Sequence, residues 1–396
     1  MWGHEKLTGG QVRFALIGAG FIGRIHGLAL QAVNRVFSDA PRAEATILVD
    51  QDAGLAQRQA EQLGFAGSGT DWRAALDQVD AVIIAVPSFS HREIALAAIA
   101  AGKHVLCEKP VGRSVAESEE IAEAAAKAGV TTGVGFTYVR APMVQHAATI
   151  VASGAIGKPV SFRGWHAEDY LADPDAPFSW RLDASLAGRC GALGDLGWHI
   201  IAIARLLCGP IVSLNGLAET RYATRRTAKA GERPRNVDNE DWAGLLARFE
   251  SGAVGSIEAS RIAHGRKMDI GFELTCERGG IIFDGERANE LQLYRHGEPA
   301  GDQGFKTIRI DGAHPGYGAF IPAPAHGLGF NDLKTIELHG FLRAIAAGGN
   351  LAPDLDEACR IARVCEAVLD SSTSGARIDR PEANPSAAHA REALNA

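Results

Sequence analysis

Three groups of residues in this 396-residue chain have types and spacings that suit chemistry. Lys109 stands in Glu108-Lys109-Pro110, directly after the apolar run His104-Val105-Leu106-Cys107. Asp195 and His199 lie at i, i+4, which on a helix puts a carboxylate and an imidazole on one face. Well upstream, Gly18-Ala19-Gly20-Phe21-Ile22-Gly23 has the spacing of a loop that cradles a dinucleotide. Together these suit removal of a hydroxyl proton while hydride leaves the same carbon for a nicotinamide. Imidazole needs little tuning to take that proton near neutrality, whereas an amine must be brought down from about 10.4. Each group also has a plainer reading. Lysine is usually a solvated charge, Asp195 can cap a helix, and His199 can be a packed histidine. A metal site on the last two lacks a third ligand nearby.

The elements that must position these groups can be read from the pattern. Val12–Ile17 is strand-like and runs into the glycine loop, which opens an apolar-periodic helix with Ile25, Leu28 and Leu30. In that context Gly18 makes a tight turn, Gly20 lets backbone N–H groups reach a pyrophosphate, and Gly23 lets helix and strand pack closely. Phe21 and Ile22 fall at the helix start, whose positive end favours phosphate. The next strand, Ala45–Val49, ends in Asp50, placed to accept from ribose hydroxyls and to repel a 2′-phosphate. NAD is therefore favoured over NADP, unless Asp50 only caps the following turn. Ala81–Val86 reads as a strand buried on both faces. Val86, Pro87, Ser88 and His91 follow its carboxyl end, where ligands bind in such sheets, and join Glu108 and Lys109 as candidate cofactor residues. His91 also begins a helix and could be a surface residue.

Composition narrows the class. The length favours two domains, and 46% hydrophobic with 22% charged residues is ordinary for a globular protein. A net charge of -7 argues against a nucleic-acid binder. The basic stretch Glu219–Asn236 reads as a solvated or oligomer-contacting loop. Six scattered cysteines show neither paired nor zinc-ligand spacing, as expected of free thiols in a reducing compartment. The first residues lack the apolar core of a signal peptide and no apolar stretch is long enough to span a bilayer, so a cytoplasmic protein without membrane contact is expected.

Ser114 and Glu117 have capping-box spacing, which places a helix over 114–128. A strand over 130–136 follows, and then the α/β alternation gives way to a helix and a series of strands. Period-two and hairpin-spaced segments at 160–165, 242–249, 253–262, 270–277, 280–283, 290–294 and 306–310 imply a large, mostly antiparallel open sheet. Helices are expected over 333–347 and 354–369, with 370–396 as a surface tail. The division expected is a dinucleotide-binding domain over 1–132, an α+β substrate-binding and oligomerisation domain over 133–381, and a tail over 382–396. The long Gly-, Pro- and aromatic-rich segment 312–331 suits a lid or a neighbour-subunit contact.

The glycine loop, Glu108-Lys109-Pro110, Gly154-Ala155-Ile156-Gly157-Lys158-Pro159 and Asp195-Leu196-Gly197-Trp198-His199, in that order, resemble the glucose–fructose oxidoreductase / inositol dehydrogenase / MocA (Gfo/Idh/MocA) family. Ser179-Trp180-Arg181, Gly191–Asp195, 252–259 and Ala313-His314-Pro315 are most similar to its levoglucosan-dehydrogenase-like sugar oxidoreductases. The resemblance implies an α/β Rossmann domain, a doubly wound parallel sheet, followed by the α+β domain. It also implies a nicotinamide-dependent dehydrogenase acting on a sugar or cyclic polyol, with Lys109, Asp195 and His199 as the catalytic group. Relatives often read Asn-Tyr-Arg where this chain has Thr137-Tyr138-Val139. Tyr138, Asp169, Trp180 and Arg181 join the catalytic three as candidate sugar contacts. Oxidation of a pyranose 3-hydroxyl is the favoured reaction. Inositol oxidation, transient oxidation by an NAD-dependent glycosidase and a non-catalytic sugar/NAD-binding regulator are the alternatives. An open sheet face implies a homodimer or homotetramer.

Overall fold

The computed structural model describes residues 10–229 and 231–383. It divides into two compact units, one of residues up to Pro142 together with Ile310–Ala358, the other of Met143–Arg309 with the chain beyond Cys359. Residues 1–9, and 384–396 of the tail expected over 382–396, lie outside the described residues.

In the first unit six parallel strands are ordered β3-β2-β1-β4-β5-β6. They are β1 Gln11–Ile17, β2 Arg42–Val49, β3 Gly67–Gly69, β4 Ala81–Ile84, β5 His104–Cys107 and β6 Thr132–Val134. This is the doubly wound order, with its switch point between β1 and β4. All four residues of β4 are buried, as a central parallel strand covered on both faces requires. β6 is shorter than expected because Phe136 N–H turns back onto the Val134 carbonyl at 2.7 Å. The helix Val115–Ala128 starts on Ser114, whose Oγ accepts from Glu117 N–H at 3.2 Å. The reciprocal half of the capping box goes one residue further, since the Glu117 carboxylate accepts from Arg113 N–H.

The helix Phe330–Ala347 belongs to this first unit, although it follows the second unit's strands in sequence. The sequence pattern alone groups it with the second domain. Leu338, Phe341 and Leu342 enter the core beside Phe14 and Leu30, with the Phe14 and Phe341 rings 6.4 Å apart. A buried ionic cluster ties the helix further. Lys334 donates to Glu108 Oε1 and, at 2.7 Å, to Glu337 Oε1, while His26 Nε2 lies 2.8 Å from Glu108 Oε1. Lys334 and Glu337 are fully buried, and His26 and Glu108 nearly so. The preceding segment 312–331 is organised around the buried Tyr317, whose hydroxyl meets the Ala323 and His326 carbonyls.

The second unit is built on nine strands. From one edge they are Lys306–Arg309, Glu290–Arg295, Gly279–Asp284, Asp269–Cys276, Pro159–Ala167, Val254–Ser260, Trp242–Phe249, Ile211–Glu219 and Ile378–Asp379. Every pairing is antiparallel except that of Pro159–Ala167 with Val254–Ser260. The helix Trp198–Cys208 packs on this sheet, where Gly164 has no side chain to block Ile200. The expectation of a surface tail from Asp370 is corrected. The last helix runs on to Ser374, Ser371 and Ser372 accept from Gly216 and Ala218 N–H, and Ile378–Asp379 adds an edge strand. The basic stretch also differs from a solvated loop. Arg225 is buried against the Tyr222 ring and donates to the Leu171 and Asp173 carbonyls, while Arg235 lies over Phe178 and pairs with Asp183.

Burial alone would raise the Glu108 carboxyl, but the Lys334 charge and the His26 hydrogen bond outweigh it and hold the group well below the ordinary carboxylate range. Burial likewise opposes the Lys334 ammonium, and the two carboxylates reverse that and raise it. A carboxyl depressed below its unfolded value of about 4.3 contributes stability above that pH and loses it as pH falls through the folded value. Glu108→Gln should therefore be less stable than wild type by about 3–5 kcal/mol at neutral pH, with the gap narrowing below about pH 4. Urea unfolding at a series of pH values measures this, and a gap that stays constant down to pH 3 would contradict the ionised cluster.

Candidate functional site

The glycine loop is shaped by close backbone approach. Gly18 has φ +107°, and a Cβ there would lie 2.5 Å from the Ala85 carbonyl oxygen at the end of β4. A Cβ on Gly23 would stand 1.9 Å from the Gly18 oxygen, so the loop closes only because both residues lack one. Around Gly20 the space is open, with no heavy atom within 4 Å of a Cβ position. Gly20 caps the helix Phe21–Val36 without a side-chain hydrogen bond, and the first turn carries no acidic residue. An open glycine, an N-terminal helix turn without a side-chain cap and a positive dipole end are what a pyrophosphate needs. The residues present therefore fit a dinucleotide.

Asp50 ends β2 and turns its carboxylate onto this loop, accepting from Ala19 N–H at 2.8 Å and from Asp52 N–H at 3.0 Å. The helix Ala53–Leu63 is capped by Asp52 instead. Phe21 is 78% exposed, and its ring stacks at 6.5 Å on Phe330, against which Tyr138 also packs at 5.8 Å. His91 is buried and braces two strand ends, its ring nitrogens lying 2.8 Å from the Val86 carbonyl and 2.9 Å from that of Pro110. Burial lowers its imidazole against the pull of those carbonyls. Its ring therefore supports the segments that carry Val86, Pro87, Ser88 and Lys109 from beneath. Glu108 is turned into the ionic cluster, while the next residue, Lys109, is half-buried at the carboxyl end of β5.

In the second unit, Asp195 and His199 do not share one regular α-helix. Leu193–Gly197 is a π-turn, with Trp198 N–H bonded to the Leu193 carbonyl, and regular α-helix begins at Trp198. Single π-turns of this kind are frequent at functional sites. The turn is held from beneath by Glu240, a buried carboxylate that accepts from Gly191 N–H at 2.7 Å and Leu193 N–H at 2.8 Å. Burial raises the Glu240 carboxyl, and those two N–H groups partly offset it. Gly191 is required there, since a Cβ would lie 2.3 Å from the Glu240 carbonyl oxygen.

Asp195 Oδ2 accepts from the Tyr170 hydroxyl at 2.7 Å and pairs with Arg181 Nε at 3.4 Å. The Arg181 guanidinium lies 4.6 Å from the Trp180 ring, so Trp180, Arg181, Tyr170 and Asp195 form one connected group. The Tyr170 ring keeps an exposed edge while its hydroxyl end is enclosed. Burial first, and then the Asp195 charge, raise the phenol well above its ordinary value, so it stays a donor. His199 is buried, with its ring 5.7 Å from that of His166. His166 Nδ1 donates to the Leu196 carbonyl at 3.1 Å, and its Nε2 lies 3.3 Å from Glu168. Asp169 points elsewhere, to Lys267 Nζ at 2.7 Å and Gly265 N–H. The hydrogen bond to Lys267 lowers its carboxyl.

Sequence reasoning misses Tyr170, His166 and Glu240. The pattern that could reveal them is polar residues clustered at strand ends, His166–Tyr170 after one strand and Asn239-Glu240-Asp241 before another.

Comparison with known proteins agrees with both units. Residues 12–136 match the Gfo/Idh/MocA oxidoreductase model, described as having an NAD-binding Rossmann fold, and residues 144–282 match the C-terminal domain of the same family. Levoglucosan dehydrogenase of Pseudarthrobacter phenanthrenivorans is 38% identical over 381 residues, 93% of this chain and 97% of the relative. A solved structure of a levoglucosan dehydrogenase in complex with NADH and levoglucosan superposes with a TM-score of 0.90 at 38% identity, covering 94% of this chain and 100% of that one. scyllo-Inositol 2-dehydrogenase (NAD(+)) of Bacillus subtilis is 31% identical over 277 residues, 69% of this chain and 74% of the relative. Among the described residues no helix is long and apolar enough to cross a membrane. The chain belongs to the Gfo/Idh/MocA family and is an NAD-binding oxidoreductase.

Proposed function

We propose that this oxidoreductase takes hydride from a secondary hydroxyl of a sugar, glycoside or anhydrosugar, with the 3-hydroxyl of a pyranose favoured and a 3-keto sugar as product. The observation that carries this reading is the likeness, along nearly the whole chain, to a levoglucosan dehydrogenase whose structure holds NADH and levoglucosan. The chemistry NAD supplies when bound is acceptance of hydride at the nicotinamide ring. The glycine loop with Phe21 and Ile22, Asp50, the segment Val86–Ser88 and Lys109 are the residues that would hold it, while the Glu108 carboxylate is committed to the ionic cluster.

His199 is assigned as the acid/base that takes the hydroxyl proton. Its imidazole suits proton transfer near neutrality. Lys109 is assigned a hydrogen bond to the reacting oxygen, sharing that proton and stabilising alkoxide character as the C–H bond breaks. Asp195, which accepts from the Tyr170 hydroxyl and pairs with the Arg181 guanidinium, is assigned to orient the imidazole or to accept from a second ring hydroxyl. Trp180 offers an apolar face for the C–H side of a sugar ring. Asp169 and Tyr138 have other partners, Lys267 and Phe330, which weigh against direct sugar contact.

Mixing the protein with NAD and levoglucosan should produce NADH absorbance, with NADP much less effective. Lys109→Ala and His199→Ala should each lower kcat/KM by about 10²–10⁴-fold, whereas Tyr170→Phe should lower it about tenfold through loss of one charge-assisted hydrogen bond. Near-wild-type kcat/KM in both alanine variants would overturn the assignment.

The second unit's sheet also leaves an apolar face open. Leu217 is 60% and Leu246 66% exposed, and with Trp165 and Trp242 they line a broad depression of about 810 Å³. Such a face is ordinarily covered, and pairing of two copies through it gives the expected homodimer or homotetramer. Sedimentation should show an oligomer that Leu246→Asp dissociates. A wild-type monomer at micromolar concentration would exclude it.

A further inference from the structure

We infer that Lys334 is a positioning residue for the reaction, acting as the internal counter-ion that fixes Glu108 and thereby sets where the neighbouring Lys109 leaves the chain. The inference rests on the role proposed above for Lys109 and adds a residue that lies far from it in sequence.

The observations are geometric. Lys334 is fully buried, and its ammonium bonds both the Glu108 and Glu337 carboxylates. Ligand atoms of His26, Glu108 and Glu337 lie within 4.8 Å of one another, a grouping that could hold a cation, and the ammonium already bonds two of the three. Glu108 is enclosed on all sides of its carboxylate. His26 Nε2 approaches Oε1 at 2.8 Å, and Gly135 comes so close that a Cβ there would lie 2.6 Å from Oε2. Thr137 Oγ1 reaches Glu337 Oε2 at 3.4 Å from the same turn. Gly135 N–H in turn bonds the Cys107 carbonyl at 2.9 Å, and Glu108 N–H bonds the Ile84 carbonyl at 3.0 Å. The residue preceding Lys109 is thus immobilised through both backbone and side chain. Glu108 directly follows β5, so anchoring it fixes the point at which the next residue, Lys109, leaves the strand.

Without the ammonium, two carboxylates would face each other in a buried site. One must take up a proton or move, and movement of Glu108 carries Lys109 with it. A displacement near 1 Å of a catalytic group lowers a rate by about 10²-fold.

The test uses the full chain with NAD and levoglucosan. Lys334→Met should lower kcat by about 10²-fold, with the KM for NAD changed less than about threefold. NADH fluorescence titration and its stabilising effect on the thermal midpoint give readouts independent of turnover, and both should stay near wild type. A folded Lys334→Met with kcat within about twofold of wild type overturns the inference. Should that variant melt too early to assay, Lys334→Met combined with Glu337→Met removes one of the two facing carboxylates and recovers part of the midpoint. The inference expects kcat to remain low in this double variant, and recovery of kcat together with stability would show a structural role alone. Lys109→Ala in the same assay separates the two readings. Full activity there defeats the role of Lys109, whereas an inactive Lys109→Ala beside a fully active Lys334→Met defeats only that of Lys334.

Discussion

The first unit depends on a buried cation. Lys334, brought back to the doubly wound sheet by a helix that follows eight of the nine strands of the second sheet in sequence, bonds both the Glu108 and the Glu337 carboxylates in a buried site. Burying charge is costly, and apolar side chains of the same volume would serve stability at least as well. What the ionic arrangement adds is direction. It joins the helix Phe330–Ala347, the helix Phe21–Val36 through His26, the end of β5 through Glu108 and the turn after β6 through Gly135 and Thr137. Glycine loop, lysine and returning helix are thereby held in one frame.

The second unit reaches a similar end with an anion. Glu240 satisfies two N–H groups at the start of the π-turn, and the turn sets the angle at which Asp195 and His199 leave the helix. Beneath it, the buried Arg261–Asp241 pair and the Asn239 amide fix the segment that carries Glu240. Tyr170 and Arg181 then bring two donors to one Asp195 oxygen. Each half thus carries its candidate catalytic side chains on backbone tied down by buried polar groups, as preorganisation requires.

Much of this is legible in the sequence, and the division follows the range of the interactions. The glycine loop can be read because its demands are local. Gly18 and Gly23 are dictated by atoms within a few residues and by the adjoining strand. The parallel strands and the antiparallel series can be read from periodicity, and the helix that carries His199 from its apolar pattern, although the π-turn before it cannot. Lys334 and Glu337 at i, i+3 look like a surface pair on an amphipathic helix, and only Glu108, 226 residues away, shows that they are buried. Tyr170 looks like a loop tyrosine until its hydroxyl meets Asp195. Arg225 looks like part of a basic run until the carbonyls of 171 and 173 surround it. Pairings across such separations leave no mark in a single sequence.

Direct passage of hydride from a sugar ring carbon to NAD leaves an isotopic trace. The most direct measurement is isotopic, with levoglucosan deuterated at C3 incubated with NAD and this protein and the mass of the resulting NADH determined. Transfer from C3 puts one deuterium in the reduced cofactor and none when the label is at another ring carbon. Unlabelled NADH from the C3-deuterated sugar, with label arriving from a different position or from none, would contradict it.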